Sequence, residues 1–236
     1  MRLKRLRCDF PRTDVMHPDQ WLDRWKQNRI GFHESRVNPY LPQYLPRFNL
    51  KPGDSIFLPL CGKALDIAWL AEQGFQVIGI ELSEIAIISF FTEQGLPYQQ
   101  FETDQFILRK SGNISLIQGD YFALQREHLA DCKMVYDRAS LIAIDEDNRD
   151  RYCAHMRSII PVDADMLLIT LEYEQAQMNG PPFAVLQQEI DQLYAAHYAV
   201  EVLEQNNVID ERPRWRDQGL THLVESVYRL NKSVSP

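Results

Sequence analysis

Residues 55–86, SIFLPLCGKALDIAWLAEQGFQVIGIELSEIA, constrain what this chain can fold into more than any other stretch. The apolar run Ser55–Leu60 predicts a buried strand, Cys61-Gly62-Lys63 a tight turn, and Ala64–Gln73 a helix that Gly74 stops. A second apolar run, Gln76–Ile80, predicts a return strand that ends in Glu81. Strand, glycine turn, helix and strand form a βαβ unit, which requires both strands to lie parallel in one sheet. A ligand crevice comes with that unit. It lies beyond the carboxyl ends of the strands, where backbone N–H groups and the positive end of the helix face whatever the glycine lets approach.

Glu81 follows Gly62 by 19 residues, at the tip of the second strand. An acid at the usual spacing of roughly 20 residues can accept hydrogen bonds from both hydroxyls of a ribose, although the same pattern also serves as plain scaffold. A dinucleotide fingerprint calls for three glycines to admit a pyrophosphate, and Pro59-Leu60-Cys61-Gly62-Lys63-Ala64 supplies one. That disfavours a nicotinamide-dependent oxidoreductase. A nucleoside with a smaller tail fits better, and S-adenosylmethionine is the commonest such ligand. A fold of this type that binds a nucleoside without catalysis is the remaining alternative.

The segment Pro59–Ser83, PLCGKALDIAWLAEQGFQVIGIELS, closely resembles the cofactor-binding segment of the thiopurine S-methyltransferase family. A second motif, W-x-x-x-W-x-x-x-x-I-G-F-H from Trp21 to His33, resembles that family's N-terminal lid. Trp21 and Trp25 sit four residues apart on one face of a helix expected over Asp19–Asn28. They pin that helix to the sheet, or one of them covers a cofactor, since an indole face attracts a sulfonium; the resemblance implies Trp25. It also implies that Phe32 lies against the acceptor, where a flat ring would stack on a purine-like one. His33 is read as a structural hydrogen-bonder rather than a base.

Further along, Asn38–Phe48 carries Pro42 and Pro46 and predicts a short, interrupted helix. Ser83 predicts a helix cap, and Ile85, Ile88, Phe90 and Phe91 a buried face behind it. Gln105–Lys110 and Asn113–Gln118 flank Ser111-Gly112 and predict a hairpin inserted between sheet elements. At the strand end that follows, Asp120 or the backbone at Tyr121 could bond an adenine edge, or the segment is an Asx turn with no ligand. Lys133–Tyr136 predicts a central strand ending in Asp137-Arg138-Ala139-Ser140, where the family carries a matching D-R. Arg138 either pairs with an acid such as Asp137 or Asp145 or points into the cleft; the resemblance implies the cleft. Asn148–Ile160 predicts a helix and Asp165–Tyr173 a buried strand. A helix over Ala184–Ala196 and strands over Tyr198–Gln205 and Leu223–Arg229 complete the chain. Gly180-Pro181-Pro182-Phe183 resembles a family motif that shapes a wall of the acceptor pocket. Glu211–Arg216 holds three arginines and a tryptophan, a solvated loop by composition, from which the resemblance brings Arg214 to the acceptor.

Composition narrows the partners. A net charge of −8 and a pI near 5.3 disfavour nucleic acid and anionic membrane surfaces. With 236 residues and 45% apolar content, one domain can bury a substantial core. Cysteines 8, 61, 132 and 153 form no metal or disulfide pattern, and no apolar run approaches the ~18 residues of a membrane span. Neither metal nor membrane is expected, and a monomeric cytoplasmic protein acting on a small molecule is. Residues 1–15 are basic and aperiodic and predict a disordered extension ahead of a domain over 16–236, with a lid at about 17–38.

The resemblance runs from about Met16 to Leu230. It implies an α/β, Rossmann-like class I methyltransferase fold: a mixed, mostly parallel seven-stranded sheet with helices on both faces. It also implies S-adenosylmethionine as cofactor and a thiopurine or other aromatic or heterocyclic thiol as substrate, with selenium or tellurium compounds a further use. Cofactor contacts would fall at Trp25, Leu60, Glu81, Asp120, Tyr121 and Arg138, and substrate contacts at Phe32, Arg138 and Arg214. Arg138 would be the catalytic residue.

Overall fold

The computed structural model describes residues 18–231; the expected extension over 1–15 lies outside them. The βαβ unit forms as its pattern dictates: β1 (Ser55–Leu58), α3 (Leu65–Glu72) and β2 (Gln76–Glu81), with the two strands parallel and Ser55 opposite Gln76. Ahead of it come α1 (Pro18–Lys26) and α2 (Tyr40–Tyr44), the latter continuing as a 3-10 turn through Phe48. After β2, Ser83 caps α4 (Glu84–Glu93), its side chain accepting from the Ala86 amide. Then follow β3 (Gln99–Glu102), β4 (Ile107–Ser111), β5 (Ile114–Gln118), β6 (Cys132–Arg138), α5 (Glu146–Ile159) and β7 (Asp165–Glu172). The chain closes with α6 (Gln187–Tyr194), β8 (Ala199–Asn207), α7 (Pro213–Asp217) and β9 (Val224–Asn231).

The strands form one sheet in the order β3-β4-β5-β2-β1-β6-β7-β9-β8. From β5 to β7 neighbouring strands are parallel, while β4 and β9 run against their neighbours. The mixed sheet is thus as expected, but it has nine strands rather than seven. The β4–β5 hairpin is not inserted between sheet elements: β5 is the third parallel strand beside β2, and β4 and β3 extend the sheet outward from it. Gln99–Glu102 was not legible as a strand because it is exposed along its whole length and so shows no burial pattern.

Alternate residues of the central strands feed two apolar layers, as the two-residue period of a strand requires. Ile56, Leu58, Met134, Tyr136, Leu167 and Ile169 meet α2, α3 and α4 on one face. Phe57, Val135, Met166 and Leu168 meet α5 and α6 on the other. Of the residues expected on the buried face of α4, Phe90 and Phe91 are in the core, but Ile85 and Ile88 are 44% and 38% exposed. Ala86 and Ile87 take their places. The helix is apolar on too many sides for periodicity to choose its buried face.

Candidate active site

The turn after β1 and the tip of β2 are joined by one side chain. Glu81 is buried, and its Oε2 accepts the Gly62 N–H at 2.9 Å while Oε1 accepts the Ser83 N–H at 2.7 Å. Burial raises the Glu81 pKa above its ordinary value, against the pull of the Ser83, Gly62 and Leu82 amides. The carboxylate is therefore positioned by the turn it faces. Gly62 has φ +53°, and a Cβ there would come within 3.2 Å of the Trp25 indole. Leu60, two residues earlier, also has a positive φ, 44°. Among the described residues four non-glycine positions have positive φ, and three of them, Asn28, Leu60 and Ala139, line the same cavity. Concentrated backbone strain of this kind marks functional crevices.

That cavity measures about 1130 Å³ and lies across the carboxyl ends of the parallel strands. Trp25 is buried and packs edge to face on Phe32 at 5.5 Å, and Trp21 does the same at 5.6 Å, so both tryptophans clamp the Phe32 ring. At the end of β5, Asp120 forms the Asx turn, accepting the Phe122 N–H at 2.9 Å. The Tyr121 ring turns into the core, stacked on Tyr152 at 4.9 Å with its hydroxyl donating to the Tyr152 carbonyl. Both residues still line the cavity. Beside it, the Arg151 guanidinium lies 3.9 Å over the Phe122 ring, a pair that sequence reading did not single out.

Arg138 pairs with neither of the acids considered for it. Asp137 points to the opposite side of β6 and is fully buried, accepting from the Leu141 N–H and the Tyr152 hydroxyl. Burial raises its pKa to about 6 against those hydrogen bonds. Asp145 accepts from Asn148. The Arg138 guanidinium instead faces the cavity, 3.7 Å from Glu34 and 4.0 Å from Asp66. Glu34 also takes Arg212 at 2.9 Å, and Arg212 reaches Glu225 at 3.8 Å. Sequence reading missed Arg212 and all three acids. The only hint was the density of arginines at and within the start of α7, and it pointed equally to Arg214. Arg214 lines the cavity further out, with its guanidinium in the space that a side chain on Gly31 would need. His33 lines the cavity too, and burial, Lys63 and Arg138 lower its pKa.

The Gly180-Pro181-Pro182-Phe183 loop does form a wall, through Pro181 and Pro182. The Tyr173 hydroxyl donates to the Pro182 carbonyl at 2.6 Å. Arg149, almost fully buried and paired with Glu189 at 2.7 Å, donates to the carbonyl of Ile144 and to that of Ala184, the residue that follows the loop.

A profile of the thiopurine S-methyltransferase family matches residues 16–233. The chain belongs to that family. It is thus an S-methyltransferase that uses S-adenosylmethionine. The thiopurine S-methyltransferase of Pseudomonas paraeruginosa is 46% identical over 217 residues, spanning 92% of this chain and 100% of that protein. The one from Azotobacter vinelandii is 44% identical over the same shares. Among solved structures, a Burkholderia thailandensis 1,6-didemethyltoxoflavin-N1-methyltransferase with bound S-adenosylhomocysteine superposes with a TM-score of 0.61 at 15% identity, covering 91% of this chain and 87% of that one. A methyltransferase from Anabaena variabilis reaches 0.62 at 14% identity, covering 93% and 96%. At such identities these two speak to the fold alone. Family membership decides against the oxidoreductase alternative. Among the described residues no helix is long and apolar enough to cross a membrane.

Proposed function

We propose that this chain, as a single domain over 16–236 with a lid at about 17–38, methylates the sulfur of aromatic and heterocyclic thiols, thiopurines among them. The observation that carries this reading is one cavity with two differently built ends: a buried carboxylate tied to a glycine turn at one, and two arginines at the other. The first end fits an S-adenosyl group. Glu81 would accept the ribose hydroxyls, and the part of the cavity beside the Gly62 turn, bordered by the Trp25 indole, would take the sulfonium region. Leu60 and the backbone at Asp120 and Tyr121 would border the remainder of the nucleoside.

When bound, the cofactor supplies a methyl carbon already activated by a positive sulfur. This chain's own residues then have to align and desolvate the acceptor. Phe32, held rigid between two tryptophans, offers a flat face to an aromatic ring. Arg138, with Arg212 beside it and Arg214 further out, would favour the ionised sulfur as its lone pair forms the new carbon bond. An aryl thiol is acidic enough to reach this state without a dedicated base. Calorimetric titration with S-adenosylmethionine, S-adenosylhomocysteine and NAD, followed by transfer of a labelled methyl group to 6-mercaptopurine, tests the reading. Binding of the two adenosyl compounds and labelling at sulfur are expected. Binding of NAD alone, or bound cofactor with no labelled thiol, would overturn it.

A further inference from the structure

Glu34 stands out because two guanidinium groups from distant elements converge on the same oxygen atom. Its Oε1 lies 2.9 Å from Arg212 Nη1, ahead of α7, and 3.7 Å from Arg138 Nη2, at the end of β6. Two other carboxylates complete the cluster, but they belong to the frame. Asp66, in the first turn of α3, accepts the Asn38 N–H at 2.8 Å with its side chain 2% exposed, and Glu225 sits in β9 with its side chain 13% exposed. Glu34 is a third exposed and lies in the irregular segment between α1 and α2, directly behind Phe32. It is the member of the cluster that faces the cavity from the lid side.

A carboxylate oxygen between two guanidiniums marks where an anion is best stabilised in this cavity. With Glu34 there, the two arginines face three acids. The cluster already holds one negative charge in excess, so each further negative charge is disfavoured there, and an acceptor with an acidic group beside its sulfur brings one more than a plain thiol does.

We propose that Glu34 is a specificity-determining residue: its carboxylate occupies the anion seat between Arg138 and Arg212, and so selects thiols without a neighbouring acidic group. The inference rests on the thiol-methylating reading and adds the charge class of the acceptor. It is tested by the ratio of kcat/KM for 2-mercaptobenzoate to that for thiophenol in the native enzyme, E34Q and E34D. E34Q should raise the ratio about tenfold or more, the scale of one unit-charge repulsion across a few ångströms of partly screened medium. E34D keeps the charge and should keep the ratio low. In a second arm, benzoate is titrated calorimetrically into the enzyme loaded with S-adenosylhomocysteine. E34Q should bind benzoate about tenfold more tightly, with the gain shrinking in high salt. If both thiols change in parallel in E34Q, or benzoate binding does not tighten, Glu34 merely positions the arginines and the proposal is overturned. If the native enzyme methylates neither thiol while binding S-adenosylhomocysteine, the thiol reading fails and the benzoate arm alone decides: tightening supports the seat, its absence removes it.

Discussion

Glu81 carries a charge into a place where burial disfavours one, and two backbone amides hold it there. Both oxygens accept from N–H groups, so a glutamine can satisfy only one of them and must set an NH2 against the other. Glu81→Gln should therefore weaken S-adenosylhomocysteine binding by about 1.5–3 kcal/mol and also lower stability by about 1–3 kcal/mol, the cost of one unmet buried partner. Calorimetry and denaturant unfolding would read the two effects separately, and unchanged affinity would take Glu81 out of the site. Arg138 is the contrary case, because its ion pairs of 3.7 and 4.0 Å are too long to hold much of the fold. Arg138→Met is expected to cut turnover on a thiopurine by roughly 10–1000-fold with little change in melting temperature. A fall in melting temperature that accounts for the whole loss of rate would make the arginine scaffold. Asp137 supplies a pH signature. Its folded pKa of about 6 lies above the ordinary 3.8, so the native state favours the protonated acid. That contribution is complete below about pH 3.8 and is lost as pH rises through about 6. Relative to the native protein, Asp137→Asn should therefore gain stability steadily between those limits and run parallel above them. A difference that does not change with pH would contradict the raised value.

At the scale of elements, α1 and the segment behind it form one piece. Trp21 and Trp25 on the helix grip Phe32 beyond it, and Glu34 ties its far end to Arg212. Because Trp25 packs against the Gly62 turn and lines the cavity, anything bound beside it there should stiffen the whole piece. S-adenosylhomocysteine is accordingly expected to slow proteolysis within residues 20–35, measured by mass spectrometry of timed digests. Equal rates with and without ligand would show that the lid does not respond. The helix boundaries here were nearly legible, since an amphipathic pattern with a tryptophan pair reports its own period. Strand β3 and the facing of α4 were not. An exposed edge strand has no buried face to alternate with, and a helix rich in isoleucine and phenylalanine on several sides has more than one face it could bury.

For the molecule as a whole, the family match begins at residue 16, so the basic residues ahead of it are assigned no part in the domain. Deleting residues 1–15 is expected to leave melting temperature and turnover unchanged within error; a loss of several degrees would show that they contribute to the domain. The βαβ unit, its Gly62 turn and the place of Glu81 at the tip of β2 were legible in the sequence alone, because each depends on residues adjacent in the chain or on a strand-helix-strand spacing that the backbone enforces. Trp25 and Phe32 share one short motif, and the structure brings their rings into contact. The arginine-lined end of the cavity was decided only by tertiary structure. Glu34 and Arg212 are 178 residues apart, and Asp66, Arg138 and Glu225 come from three further elements. Ion pairs leave no periodic trace in a sequence. Which arginine meets which acid depends on where the sheet order sets the ends of β6 and β9 and the segment ahead of α7, and that order is settled by the packing of the whole chain.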